Sequence, residues 1–283
     1  MQHQDITPGF MLVQGNRMEG LRALLTEWLR RQPLQPLENE VFLVQSNGIA
    51  QWLRLALAAP VSEGGCGIAA ALDVKLPGTF VWQAYRSVLG DLPETSPYDK
   101  APLTWQLYRL LGDPDALATT REELRWLQPL QGFLAAGSQD SASGSAARRR
   151  LQLAQRLADL YDQYQVFRAA WLGDWQRGDD RLIDAMGGSV PLPEEQRWQP
   201  LLWRRIVSDV SVRGQTLSAR DSRSALHGRF LEQAGALTPA DRPEDLPRRI
   251  VVFGISSLPR QVIEVLKALS QLCQVVLFVH NPC

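Results

Sequence analysis

The period of apolar and polar positions divides the chain into three stretches. Phe10-Met11-Leu12-Val13 is a continuous apolar run of strand length, the pattern of a short buried strand. Leu21, Leu24, Leu25, Trp28 and Leu29 then recur at i, i+3, i+4, i+7 and i+8, one face of a helix that Pro33 and Pro36 end. A second unit follows: a strand over 40–45, a turn at Ser46-Asn47-Gly48, and a helix over 49–59 that turns Ile49, Trp52, Leu53 and Leu57 inward. Residues 67–72 predict a further short strand. Pro77-Gly78-Thr79 opens a helix over 80–89, with Thr79 placed to cap it.

From about 91 to 247 the period is helical throughout, with no convincing strand. Thr120 to Glu123 has the spacing of a capping box. Residues 137–147 (GSQDSASGSAA) read as a flexible surface loop. The strongest helical signal covers 148–167, with Leu153, Leu157, Leu160, Tyr161 and Tyr164 along one face. Proline-bearing stretches at 191–193 and 238–247 mark loops. The strand pattern returns at 250–254 and 275–279, with a helix over 258–272 between them. Alternating strand and helix at both ends predicts a parallel sheet covered on both faces. The expected organisation is one α/β domain from 1–90 with 248–283, and an all-helical domain over 91–247 inserted into it. A buried-type strand just before Pro282-Cys283 further suggests a piece of a longer protein.

Composition narrows the function classes. The 30 basic and 30 acidic side chains cancel, which argues against wrapping nucleic acid by bulk charge but leaves a local groove open. Lysine occurs only at 75, 100 and 267, so arginine carries the positive charge, which suits phosphate and base-edge contacts but which an arginine-rich proteome would give equally. Cysteines at 66, 273 and 283 form no CxxC pair, which fits a reducing compartment rather than a zinc site or disulfide framework. No apolar run approaches the ~20 residues of a membrane span, and residues 1–10 lack the pattern of a secretory signal; the expectation is a cytosolic protein.

The layout of the first strand, loop and helix is that of an ATP-driven nucleic-acid motor, in which GxxxxGK[ST] would close backbone N–H groups on phosphates and place Lys and Ser/Thr on the phosphates and magnesium. Here the position reads QGNRMEGL from Gln14, with neither Lys nor a following Ser/Thr. No apolar strand ends in Asp-Glu, and Gly254-Ile-Ser-Ser after a later strand also lacks the lysine. There is no GxSxG elbow, and His3, His227 and His280 are scattered. The pairs Asp179-Asp180 and Glu194-Glu195 sit in polar loops, where solvation is expected. No catalytic set, metal or cofactor is therefore expected in this chain.

Two patches remain. Gln45-Ser46-Asn47-Gly48-Ile49-Ala50-Gln51-Trp52 lies at the carboxyl end of a strand, where open α/β sheets bind ligands and where Gln and Asn can pair with base edges. The pattern equally allows plain capping by Asn47 with Trp52 in the core. On helix 148–167, Asp159, Asp162, Gln163 and Val166 lie opposite the apolar stripe, with Arg168 just beyond. These residues can meet bases and phosphate, or form an ordinary solvated face.

Both patches fall within segments that resemble the RecC family, the gamma subunits of the bacterial exodeoxyribonuclease V or RecBCD helicase–nuclease. The segments are LVQSNGIAQWL (43–53), GIAAALDVKLPGTFVWQAYRSVL (67–89), ADLYDQYQVFRAAWL (158–172), VFGISSLP (252–259) and a closing HNPC. They occur in the same order over essentially the whole chain, which matches the N-terminal part of a family several times longer. The resemblance implies a superfamily 1 helicase-like P-loop fold without the Walker motifs, with a 1B-like helical insertion in a 1A-like domain. It implies a channel for the unwound 3′ strand in which Chi is recognised as single-stranded DNA. ATP and magnesium would be bound by RecB-like and RecD-like partners, and no small-molecule substrate or membrane would be involved. Residue by residue, the family's Chi-reading positions fall on Gln45, Asn47, Gln51, Leu76, Trp82, Asp159, Leu160, Asp162, Gln163, Arg168 and Arg223. Asn47 stands where the family pattern has Thr, and VQGNR where it commonly has YHSNR. By their chemistry Gln45, Asn47 and Gln51 would contact base edges, Leu76 and Trp82 would pack on splayed bases, and Arg168 would hold a phosphate. Asp159 and Asp162 would position Arg168 or accept from base amino groups. The alternative is a scaffold that holds RecB and RecD without reading sequence.

Overall fold

A computed structural model describes residues 6–36, 38–90, 92–113, 117–136, 143–184, 187–213 and 223–281. The chain divides into two compact units, residues 1–90 with 229–283, and residues 91–228. The first unit runs β1 (Gly9–Gly15), α1 (Met18–Arg31), β2 (Glu40–Val44), α2 (Asn47–Ala58), β3 (Leu72–Lys75) and α3 (Pro77–Leu89). The second unit holds α4 (Lys100–Leu110), α5 (Arg121–Trp126), α6 (Gln128–Ala135), α7 (Ser143–Phe167), α8 (Ala169–Arg177), β4 (Arg181–Ile183), β5 (Ser189–Pro191) and α9 (Trp198–Arg213). The boundary falls within α10 (Arg223–Ala236), after which the chain returns to the first unit with β6 (Arg249–Phe253), α11 (Arg260–Leu269) and β7 (Gln274–His280).

The five long-range strands form one parallel sheet in the order β1-β7-β6-β2-β3. Chain order and sheet order differ because the two C-terminal strands insert between β1 and β2. Phe42, Val44, Val251, Phe253, Val276 and Phe278 meet Leu21, Leu25 and Leu29 of α1 and Leu53 and Leu57 of α2 on one face. Val41, Leu43, Ile250, Val252, Val275 and Leu277 alternate with them and are equally buried. They must therefore point to the opposite face, where α3 packs on β2, α11 on β7, and the two helices on each other. Central strands buried on both faces explain the near-continuous apolar runs of β2, β6 and β7.

One arginine ties this unit together. The Arg249 side chain is fully buried, lies 4.4 Å over the Trp28 ring, and donates to Glu40 Oε1 at 2.7 Å, Gln32 O at 2.8 Å and Gln274 Oε1 at 3.0 Å. These partners join the end of α1 to β2, β6 and β7. The second oxygen of Glu40 is buried with no partner, and burial pushes the carboxyl up to about 7 despite the neighbouring guanidinium.

In the second unit an aromatic core forms around Trp203, with Tyr98 and Tyr161 both at 5.5 Å between ring centroids. The Tyr161 hydroxyl donates to Gln199 O at 2.8 Å, which satisfies its one polar atom inside the core.

Several expectations need correction. β1 is an edge strand: Phe10, Met11 and Leu12 are 45%, 45% and 52% exposed, because among the described residues β7 flanks only one side. The third strand begins at Leu72 rather than ending there, and α3 starts at Pro77, so Leu76 rather than Thr79 holds the cap position. The middle of the chain does contain strands, the antiparallel pair β4–β5. The Trp171 indole donates to Ile183 O at 2.8 Å and that of Trp175 to Arg181 O at 3.0 Å, which holds this hairpin to α8. Helix α7 begins at Ser143, so only residues 137–142 of the expected loop lie outside the described residues. The contact boundary lies at 228 rather than 247, because Phe230 packs on Tyr85 at 5.0 Å and the Ser87 hydroxyl donates to Asp245 at 2.7 Å. Asp180 is not merely solvated, since it accepts from Arg204 at 2.6 Å. No described helix is long and apolar enough to cross a membrane.

Candidate nucleic-acid interface

Parallel strands end together, so the register decides which loops share an edge. Leu43 pairs with Lys75, Val44 with Phe253, Phe253 with Phe278, and Gly15 with His280. The carboxyl edge of the sheet therefore carries Gly15-Asn16-Arg17, Gln45-Ser46-Asn47, Leu76, Gly254 to Ser257, and His280-Asn281. The first of these connections is only two residues long, Asn16 and Arg17, before α1 begins. A Cβ added at Gly15 would lie 2.8 Å from Leu21 Cδ2, so an apolar side chain fills the space beneath the turn.

At the β2–α2 connection the capping role belongs to Ser46, whose hydroxyl accepts from the Ile49 N–H at 3.3 Å. Asn47 therefore does not cap this helix. It is the first residue of the helix, exposed, as are Gln45 and Gln51. Asn47 and Gln51 are four residues apart and share one face of α2. Among the described residues none of these three amides has an internal hydrogen-bond partner. Trp52 turns inward, stacked on Phe253 at 6.1 Å with Arg22 5.9 Å over its ring.

Leu76 is 43% exposed and extends from β3 beside the end of β2. Its neighbour Lys75 is held by Asp73 at 2.6 Å and by Gln83. Trp82, six residues on, lies about 9 Å further along the axis of α3; it is half-buried and meets Tyr85 edge-on at 6.3 Å. The edge thus groups Gln45, Asn47, Gln51 and Leu76, with Trp82 set back from it. Arg17, Ser256 and Ser257 are also exposed there. Their loops follow strands at the place an ATP site would take, and they were not among the expected DNA contacts.

In the helical unit a second grouping forms around the start of α4. Lys100 forms an ion pair with Asp159 of α7, and Asp162 adds to the field that raises the Lys100 ammonium above its ordinary value, after the Asp159 hydrogen bond and charge. Asp99 accepts from Arg223 of α10 and from the Ser96 N–H at 2.9 Å. Asp159, Asp162 and Arg223 are therefore half-buried around the first turn of α4 rather than on a freely solvated face. Leu160 is half-buried too, whereas Gln163 is exposed and has no internal partner among the described residues. Arg168 follows α7 at the cap position of α8, exposed, with its guanidinium 5.3 Å over Trp171 and a hydrogen bond to Phe167 O at 3.2 Å. Asp99 and Lys100 were missed from sequence, because nothing local links them to residues 159 or 223.

Among the described residues no group of three or more His, Cys, Asp or Glu is placed to hold a metal ion. Cys66 and Cys273 are free thiols, the latter pushed up to about 12 by burial.

The model of the family described as RecC, N-terminal domain, matches residues 10–283. Among curated proteins, the RecBCD enzyme subunit RecC of Haemophilus influenzae is 32% identical over 285 residues, covering 97% of this chain and 23% of that protein. The RecBCD enzyme subunit RecC of Escherichia coli is 35% identical over 269 residues, covering 95% of the chain and 21% of its own length. That of Mycobacterium tuberculosis is 28% identical over 268 residues, covering 93% and 21%. The chain thus spans about a fifth of the length of the curated relatives it matches.

Proposed function

This chain belongs to the RecC N-terminal domain family, and from that premise we propose that it is a non-catalytic, single-strand-contacting part of a RecBCD-type helicase–nuclease acting in DNA repair and recombination. In this reading the α/β unit is a superfamily 1 helicase-like fold that has lost its phosphate loop. The two-residue turn at Asn16-Arg17, filled from below by Leu21, supports that loss. ATP and magnesium belong to RecB-like and RecD-like partners, which move the strand, while this chain guides the 3′-ended strand and reads Chi.

The observation that carries the proposal is the set of exposed amides at Gln45, Asn47 and Gln51. They stand at the carboxyl edge of a parallel sheet, without internal partners among the described residues. An amide side chain presents a donor and an acceptor together and so can match the edge of a splayed base, as A N6/N7 requires. Leu76 beside them offers an apolar surface, with the partly buried Trp82 supporting it. Arg168, already oriented over Trp171, would hold a phosphate, and Gln163 would add a further base contact. Leu160, Asp159 and Arg223 would shape the helical side of the path, and Asp162 would accept from a base amino group.

A second reading has its own support. Asp159 is taken up by Lys100 and Arg223 by Asp99, as in a scaffold that holds RecB and RecD and reads nothing. The two are separated in the assembled complex by Gln51→Ala and Asp162→Ala. Loss of one base-edge contact worth about 1–3 kcal/mol predicts a roughly 5- to 150-fold weaker response to Chi with unwinding intact. If both variants respond to Chi as the parent does, the scaffold reading replaces the scanning one.

A further inference from the structure

The two edges of the sheet are built differently. β3, on one side, is four residues long and carries Asp73 and Lys75, paired to each other at 2.6 Å. Short length and charge are the usual means by which an edge strand is kept from pairing further. β1, on the other side, is seven residues long, reads Gly-Phe-Met-Leu-Val-Gln-Gly, and has neither charge nor proline. By register Phe10 and Leu12 share the face of Val275 and Leu277, and Met11 that of Val276. All three β7 residues are buried, at 0%, 8% and 0% exposure, while their β1 neighbours stand near half exposure. Apolar side chains on both faces belong to a strand with neighbours on both sides and cover above and below.

We propose that the open edge of β1 seats one more parallel strand, itself apolar on both faces, drawn from RecC polypeptide outside these 283 residues. The proposal rests on family membership and is independent of the Chi-reading hypothesis. Three features select this occupant. Every existing pairing in the sheet is parallel, and parallel strands are joined by covered crossovers within a polypeptide. The curated relatives carry more than three-quarters of their length outside the matched region, ample chain to supply both the strand and its crossover. The exposed side chains flank a backbone edge on both faces, which suits an inserted strand better than a flat protein surface.

Amide hydrogen exchange tests it on two proteins, the 283-residue chain and a RecC-length protein containing the same residues. The β1 amides that point away from β7 should exchange about 100-fold more slowly in the longer protein, while β2 and β6 stay alike in both. Leu12→Lys should leave β2 and β6 protection unchanged in the shorter chain but reopen β1 to exchange in the longer one. Equal β1 exchange in both proteins overturns the proposal. Protection that grows with concentration of the shorter chain assigns the edge to a second copy instead. Protection appearing only when the other RecBCD subunits are added assigns it to one of them.

Discussion

Glu40 and Arg249 show how far a buried pair departs from its surface chemistry. Arg249 has three acceptors and an aromatic face, whereas Glu40 has one oxygen engaged and one buried without a partner. Desolvation therefore dominates for the carboxyl and pushes it up to about 7, against the opposing pull of Arg249. The consequence for stability has a definite sign. Between the ordinary carboxylate value of 4.5 and about 7 the folded chain holds a proton that the unfolded chain releases. Stability should thus fall as pH rises through that window, read as a falling urea midpoint from pH 5 to pH 8. Glu40→Gln should flatten that slope; an undiminished slope would place the proton elsewhere. None of this was legible in the sequence, where Arg249 is one arginine among many. The exposure of Gln45 and Gln51 was legible, because a residue just past a strand and one near the start of the next helix stay exposed whatever the rest of the core does. Asp159 and Asp162 were only half legible: their helix face was right, but its cover comes from α4, far earlier in the chain.

The elements that patterning located best are those whose surroundings are symmetrical. β2, β6 and β7 are enclosed on both faces, so an apolar run and a turn signal suffice to place them. β1 carries the same signal at an edge, and nothing local distinguishes the two situations. The β4–β5 hairpin escaped because three residues per strand give no period, and two indole N–H groups from α8 anchor it instead. Helix starts depend on single side chains. The capping box at Thr120 and Glu123 is present as its spacing predicts, whereas α2 is capped by Ser46 one residue earlier than Asn47. Ser46→Ala should cost about 1 kcal/mol through the unpaired Ile49 N–H, seen as a lower denaturant midpoint. Asn47→Ala should cost clearly less, because its side chain caps nothing. Equal losses would return the cap to Asn47.

At the scale of the molecule, the sheet is interleaved: among the described residues β1 pairs only with β7, and β2 lies between β3 and β6. A chain ended after Pro247 would keep every strand and helix of the 91–228 unit yet lack both strands that join β1 to β2. Amide protection should then persist in α7 and α9 and vanish from β2. Persistent β2 protection would show that the first βαβ segment holds without its later neighbours. Two units of this kind were legible as an interruption of the strand–helix period. Where the second gives way to the first was not, because α10 runs across the boundary without a break in its pattern.

The interleaving also sets a timetable. Residues emerge from a ribosome in order at ~5–20 per second, so on the order of 10–50 s separate the appearance of Gly15 from that of Gln274. Throughout that interval Phe10, Met11 and Leu12 lack the strand they pair with, whereas the helical unit has all its parts once residue 228 has emerged, before β7 exists. The apolar β1 segment thus waits for its partner longer than any other strand of the sheet, and it is the segment that shielding during synthesis would have to cover.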